Sequence, residues 1–103
     1  MSRERYRQAI HILRRSATGE YFVHHCTSCE VRDEKWSESQ QEQSGRIEDV
    51  KIFCMRAQKI ESDDLIRWNG EVYRVEYVDA YDNRGREIRV RAMRSRSRYS
   101  VRG

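Results

Sequence analysis

The residues best suited to chemistry sit together in His24-His25-Cys26-Thr27-Ser28-Cys29. Thiolates and neutral imidazoles are zinc ligands, and a CxxC spacing can fold into a knuckle around one ion, with His24, His25 or Cys54 completing a tetrahedral set. Two features count against it: no second CxxC or HxxxH follows, and no glycine flanks the cysteines to shape a tight turn. On an extended segment Cys26 and Cys29 fall on opposite faces, so a plain strand is the leading reading and structural zinc the alternative.

Other candidates are weaker. Cys26 or Cys29 beside His24 or His25 is adjacency in sequence, whereas catalytic partners are usually assembled from distant segments. Asp63-Asp64 follows a polar connector, where turn formation is the ordinary role of such residues. Five glycines, none in a GxGxxG or GxxxxGK[ST] arrangement, supply no phosphate cradle. The chain is therefore read as a non-enzyme with no catalytic residue, no metal site and no cofactor. The extended electrostatic feature is the tail RSRSRYSVRG, where Arg94, Arg96, Arg98 and Arg102 can meet phosphates or an acidic partner.

The elements that must carry these groups read as strands. Asp63 to Val78 (DDLIRWNGEVYRVEYV) gives the strongest local signal. Leu65 to Trp68 and Val72 to Val78 are rich in β-branched and aromatic residues, and Asn69-Gly70 between them suits a two-residue type I′ turn. Along its second strand Tyr73, Val75 and Tyr77 alternate with Val72, Arg74, Glu76 and Val78, which assigns the tyrosines and Val75 to the core. Earlier strands are expected over Ala9 to Arg14, where Tyr6, Ala9, Ile10 and Leu13 also have helical spacing but the paired isoleucines tip the reading to a strand, over Tyr21 to Val31 and over Glu48 to Met55. The last is central, because Val50, Ile52 and Cys54 on one face and Phe53 and Met55 on the other are apolar. A turn at Asp82 to Gly85 leads to a final strand, Glu87 to Met93, with Ile88, Val90 and Ala92 inward.

Between the second and third strands, Asp33 to Arg46 holds one large apolar residue, Trp36, and is expected to be a mobile loop. The tail after Met93 should be disordered without a partner, and residues 1–8 form a basic arm. With 103 residues the chain makes one domain, residues 1–93, and its hydrophobic and charged shares are each 37%. That small apolar share favours an obligate assembly subunit, with partners completing the burial. Net charge is +4, but Arg84 to Gly103 carries eight arginines against Glu87, and the remainder is acidic at −3. Three cysteines, no apolar signal segment and no apolar membrane-length run point to synthesis in the cytoplasm, with reduced thiols and no membrane partner. The expected fold class is all-β: five or six antiparallel strands in a meander that closes as a small SH3-like barrel or rolled sheet.

In this arrangement the chain resembles the small head-closure, or head-completion, proteins of long-tailed bacteriophages. The resemblance is carried by AIHILRR, the long polar loop, VKIFCMR and above all DDLIRWNGEVYRVEYVDAYDNRGREIRVRAM, in which Asp64, Ile66, Trp68, Asn69, Gly70, Tyr73 and Val75 match the family's closing pattern. It spans Ala9 to Met93; HHCTSCE and the basic tail depart from it. It implies a homo-oligomeric ring in the virion neck, made in the bacterial cytoplasm, that closes the head after packaging between portal or adaptor proteins and tail proteins. The loop, with Trp36, Glu38, Gln40, Gln41, Glu42 and Gln43, would then reach a neighbouring subunit or the channel, and basic segments would touch double-stranded DNA without reading sequence. The alternatives are a nucleic-acid-binding SH3-like or OB-like module and a tail-completion protein.

Gly70→Val places a β-branched residue where the turn needs positive φ and should cost about 1–3 kcal/mol in urea denaturation. An unchanged midpoint would mean that the turn is of another type.

Overall fold

The computed structural model of the chain describes residues 6–33, 50–80, 85–95, 99 and 101–102. These form β1 (Gln8–Arg15), β2 (Tyr21–Asp33), β3 (Val50–Arg56), β4 (Leu65–Trp68), β5 (Glu71–Ala80), β6 (Glu87–Arg94) and β7 (Val101–Arg102). The first six are those the sequence pattern predicts, shifted by no more than a few residues at their ends. They close into a small antiparallel β-barrel.

The connectivity is not the simple meander expected. β1, β2 and β3 form one antiparallel meander and β4, β5 and β6 another; β3 pairs with β6 and β4 with β1 to seal the ring. The polar connector after Arg56 carries the chain away from β3, whose remaining edge is taken by β6, to the edge of β1. Following paired residues around the ring, from Val23 through Leu13, Leu65, Arg74, Met93 and Val50, returns to the far end of β2 beside Asp33. The strands are therefore strongly staggered, as closure of so few strands requires.

Ile10, Ile12, Cys29, Phe53, Met55, Ile66, Tyr73, Val75, Val90 and Ala92 fill the interior. Phe53 meets Tyr73 and Trp68 edge-on, with centroids 5.4 and 6.0 Å apart, a geometry in which the positive ring edge faces a negative ring face. Val50 and Cys54 are also buried, so β3 is apolar on both faces, as its central position demands.

One assignment to the core is corrected. Tyr73 and Val75 are buried, but Tyr77 is 49% exposed, and Val78 instead packs against the core. Val75 pairs with Ala92 and Tyr77 with Arg91, so Glu76 is an extra residue in β5. Such a bulge shifts the alternation by one and turns the following side chain outward. Glu87, expected on the solvent side of β6, is buried and accepts a hydrogen bond from the Tyr6 hydroxyl.

The turn between β4 and β5 matches its residues: Asn69 has φ 54° and Gly70 φ 79°, both left-handed. No atom lies within 4 Å of a Cβ built on Gly70, so a side chain there meets backbone strain rather than a clash. The tail also differs from expectation. Val101 and Arg102 pair in parallel with Tyr21 and Phe22, where a disordered segment was predicted. The Ser95 N–H donates to the Val72 carbonyl at 2.8 Å, so the chain leaves β6 anchored to β5.

Candidate functional site

β2 has thirteen residues, more than its neighbours can cover. β1 pairs along one edge from Tyr21 to Cys29. On the other edge β7 takes Tyr21 and Phe22 and β3 takes Cys29 to Asp33. Between them, from Val23 to Ser28, no strand among the described residues pairs with that edge. The register of β1 on β2 skips His24, because Ile12 faces His25 and Leu13 faces Val23. This irregularity falls inside the open stretch, where His24, His25 and Cys26 are exposed.

The segment first considered for zinc is thus an exposed strand edge. Cys29 is buried in the core and Cys26 is exposed on the opposite face, so the two thiols diverge instead of converging on an ion. Cys26 lies across from His11, whose Nδ1 accepts a hydrogen bond from the Arg67 guanidinium at 2.9 Å. No group of three or more His, Cys, Asp or Glu among the described residues has metal-holding geometry.

Burial pushes the Cys29 thiol up to about 12 and raises that of Cys54 as well, so both remain neutral at physiological pH. Their folded values lie above the unfolded one. The stability this contributes is present below about pH 9 and declines as pH rises toward the folded values.

Asp63 and Asp64 also diverge. Asp64 is buried and receives two guanidinium bonds from Arg14, at 3.1 and 2.8 Å, and the Glu61 N–H at 2.9 Å. Asp63 is exposed, with φ 77°, and meets Arg74 at 3.6 Å. They form a structural turn and do not act together on one substrate atom.

At one end of the open edge, Tyr6, Thr27, Ser28 and Arg56 line an open cleft. The Arg56 guanidinium lies 6.0 Å from the Tyr6 ring centroid, and the Gln58 amide donates to the Arg56 carbonyl at 2.9 Å. At the other end Tyr99 packs edge-on against Tyr21, with centroids 5.1 Å apart, and its hydroxyl is 2.9 Å from Ser95 Oγ. The tail therefore returns to the start of β2.

Of the residues proposed from sequence, Asn69 and Gly70 form the expected turn. Arg94 ends β6 and is half-buried, and Arg102 belongs to β7. Trp36, Glu38, Gln40, Gln41, Glu42, Gln43, Arg96 and Arg98 lie outside the described residues. The open edge was missed, although the length of the second extended segment relative to the first was its visible sign.

No family model and no curated protein matches the chain. Among solved structures it is similar to protein SF1141 from Shigella flexneri 2a, known from a solution structure. The TM-score is 0.59 at 20% identity, over 95% of this chain and 100% of that one. That likeness concerns the fold.

Cys26 should react with a thiol reagent such as Ellman's reagent at pH 8 in the native protein, while Cys29 and Cys54 react only after denaturation. Three equally fast thiols would contradict the assigned positions.

Proposed function

We propose that this chain is a structural subunit of the neck of a long-tailed bacteriophage, where copies assemble as a ring that closes the filled head and joins it to the tail. The observation that carries the proposal is the open edge of β2 on an otherwise closed barrel. A sealed barrel offers no strand edge to a neighbour, whereas the outer edge of β2 from Val23 to Ser28, with which no described strand pairs, offers a ready template for association. The strand order and spacing of the sequence resemblance support the same reading.

Charge supports it too. The acidic stretch from Asp33 to Asp49 has six carboxylates against Lys35 and Arg46, while the chain from Arg84 onward is strongly basic. Copies placed side by side can set one sign against the other. In such a ring the segment between β2 and β3 reaches toward a neighbour or the channel, and the tail arginines lie near the DNA backbone.

The nucleic-acid-binding alternative loses its best feature. Base stacking needs several exposed aromatics on one face with basic neighbours. Tyr73 is buried, Trp68 packs against Phe53 and Tyr73, and Tyr77, 6.0 Å from the Arg91 guanidinium, is the large apolar side chain that stays exposed among the described residues.

Sedimentation of the purified chain over a concentration series, alone and with portal-containing DNA-filled particles, tests the proposal. Self-association or saturable particle binding is the expected result. A chain that stays monomeric and leaves the particles unbound contradicts it.

A further inference from the structure

We infer that the cleft lined by Tyr6, Thr27, Ser28 and Arg56 is a binding site for a carboxylate, with the Arg56 guanidinium as its anchor and the Thr27 and Ser28 hydroxyls beside it. Every residue named belongs to one chain, so the site stands whether or not copies assemble.

The cleft opens where two strands part. β2 and β3 are paired as far as Cys29 with Met55, and in that register Ser28 and Arg56 would come next, but the pairing stops. β3 meanwhile stays on β6: Arg56 lies opposite Glu87, and the Ala57 N–H donates to the Arg86 carbonyl at 2.9 Å. Ser28 and Arg56 are thus left on either side of a gap whose lining Tyr6 and Thr27 complete.

The donors in this gap are uncommitted. Arg56 is exposed, its guanidinium 6.0 Å from the Tyr6 ring centroid, and it forms no ion pair among the described residues. The carboxylate nearest to hand is Glu87, directly across the ladder, but it is buried and accepts from the Tyr6 hydroxyl. A guanidinium lying over a ring keeps its N–H groups in its own plane, where a fork of two can meet two oxygens. The Gln58 amide donates to Thr27 Oγ1 at 3.4 Å and to the Arg56 carbonyl at 2.9 Å. Thr27 Oγ1 is held there as an acceptor, which leaves its own O–H to donate elsewhere. The Gln58 Oε1 is buried without a hydrogen-bond partner among the described residues. Incomplete bonding of a buried amide beside open donors is the mark of a site that a ligand completes.

A carboxylate suits this arrangement better than a phosphate. Its two coplanar oxygens match the guanidinium fork with two parallel bonds. It also brings a single negative charge, whereas a phosphoryl group near neutral pH brings up to about two and meets Glu87 across the ladder from Arg56.

The test is a titration of full-length, isotope-labelled protein followed by two-dimensional NMR, with ionic strength held constant by sodium chloride. The probes are sodium acetate, sodium phosphate and the blocked peptide acetyl-Ala-Glu-Ala-amide. Saturable shifts concentrated at Thr27, Ser28 and Arg56 are expected with acetate or with the peptide, at concentrations below those phosphate needs. The tighter of the two tells whether the carboxylate is free or belongs to a polypeptide. Arg56→Gln should weaken binding by about tenfold or more, and Arg56→Lys, which keeps the charge without the fork, should fall between it and the original chain. Arg56 is exposed, so both variants should leave the peaks of core residues such as Val75 and Val90 in place.

Shifts that rise linearly with all three probes would mean surface screening alone and overturn the site. Equal binding by Arg56→Gln would remove the anchor, and tighter binding of phosphate would overturn the assignment to a carboxylate.

Discussion

The ring closes at a short seam between β1 and β4, where only His11 to Leu13 lie against Leu65 to Arg67. Elsewhere around the ring pairing is longer; β3 and β6 match from Val50 with Met93 to Arg56 with Glu87. The short seam is reinforced by side chains at every third position of β1. Gln8 accepts from the Trp68 indole at 3.1 Å, His11 accepts from Arg67, and Arg14 grips Asp64 with two bonds. Arg14 with Asp64 has the strongest claim, because its carboxylate is almost wholly buried and a two-bonded guanidinium fixes direction as well as distance. Asp64 also holds the Glu61 N–H, and its carbonyl accepts the Val75 N–H, so one residue ties β1, the connector and β5. Attraction to the carboxylate, with the direct bond as its main cause, raises the Arg14 pKa and keeps the guanidinium charged.

Closing that seam decides what remains available for association. With β4 on β1 and β3 on β6, neither meander is left with a full free edge. The surplus length of β2 then provides the open stretch among the described strands. The proposed assembly is thus a consequence of unequal strand lengths: β2 runs past the end of β3, and the uncovered backbone groups can be satisfied by water or by another strand.

Much of the fold was legible because short-range chemistry specifies it. Asn69-Gly70 announces its turn, and alternation placed Ile88, Val90 and Ala92 inside. What escaped depends on pairing between distant segments. Nothing local marks Glu76 as a bulge, so the alternation that buries Tyr73 and Val75 wrongly carried Tyr77 with them. The order of strands in the ring was equally hidden, since the polar connector after Arg56 does not reveal which edge it crosses to. Asp64 was read correctly as part of a turn, but its partner Arg14 lies fifty residues away in sequence. At the candidate site, the opposed faces of Cys26 and Cys29 followed from strand geometry, whereas the open edge depends on where β3 stops.

The central claim is that the Arg14–Asp64 pair holds the seam. A double-mutant cycle read by urea denaturation measures this directly. Arg14→Ala, which strands a buried carboxylate, should cost about 3 kcal/mol. Asp64→Ala should cost less, because the Arg14 side chain is 22% exposed and can turn to water. A coupling energy of about 1.5–3 kcal/mol between the two is the predicted result. Purely additive losses, with no coupling, would contradict the account.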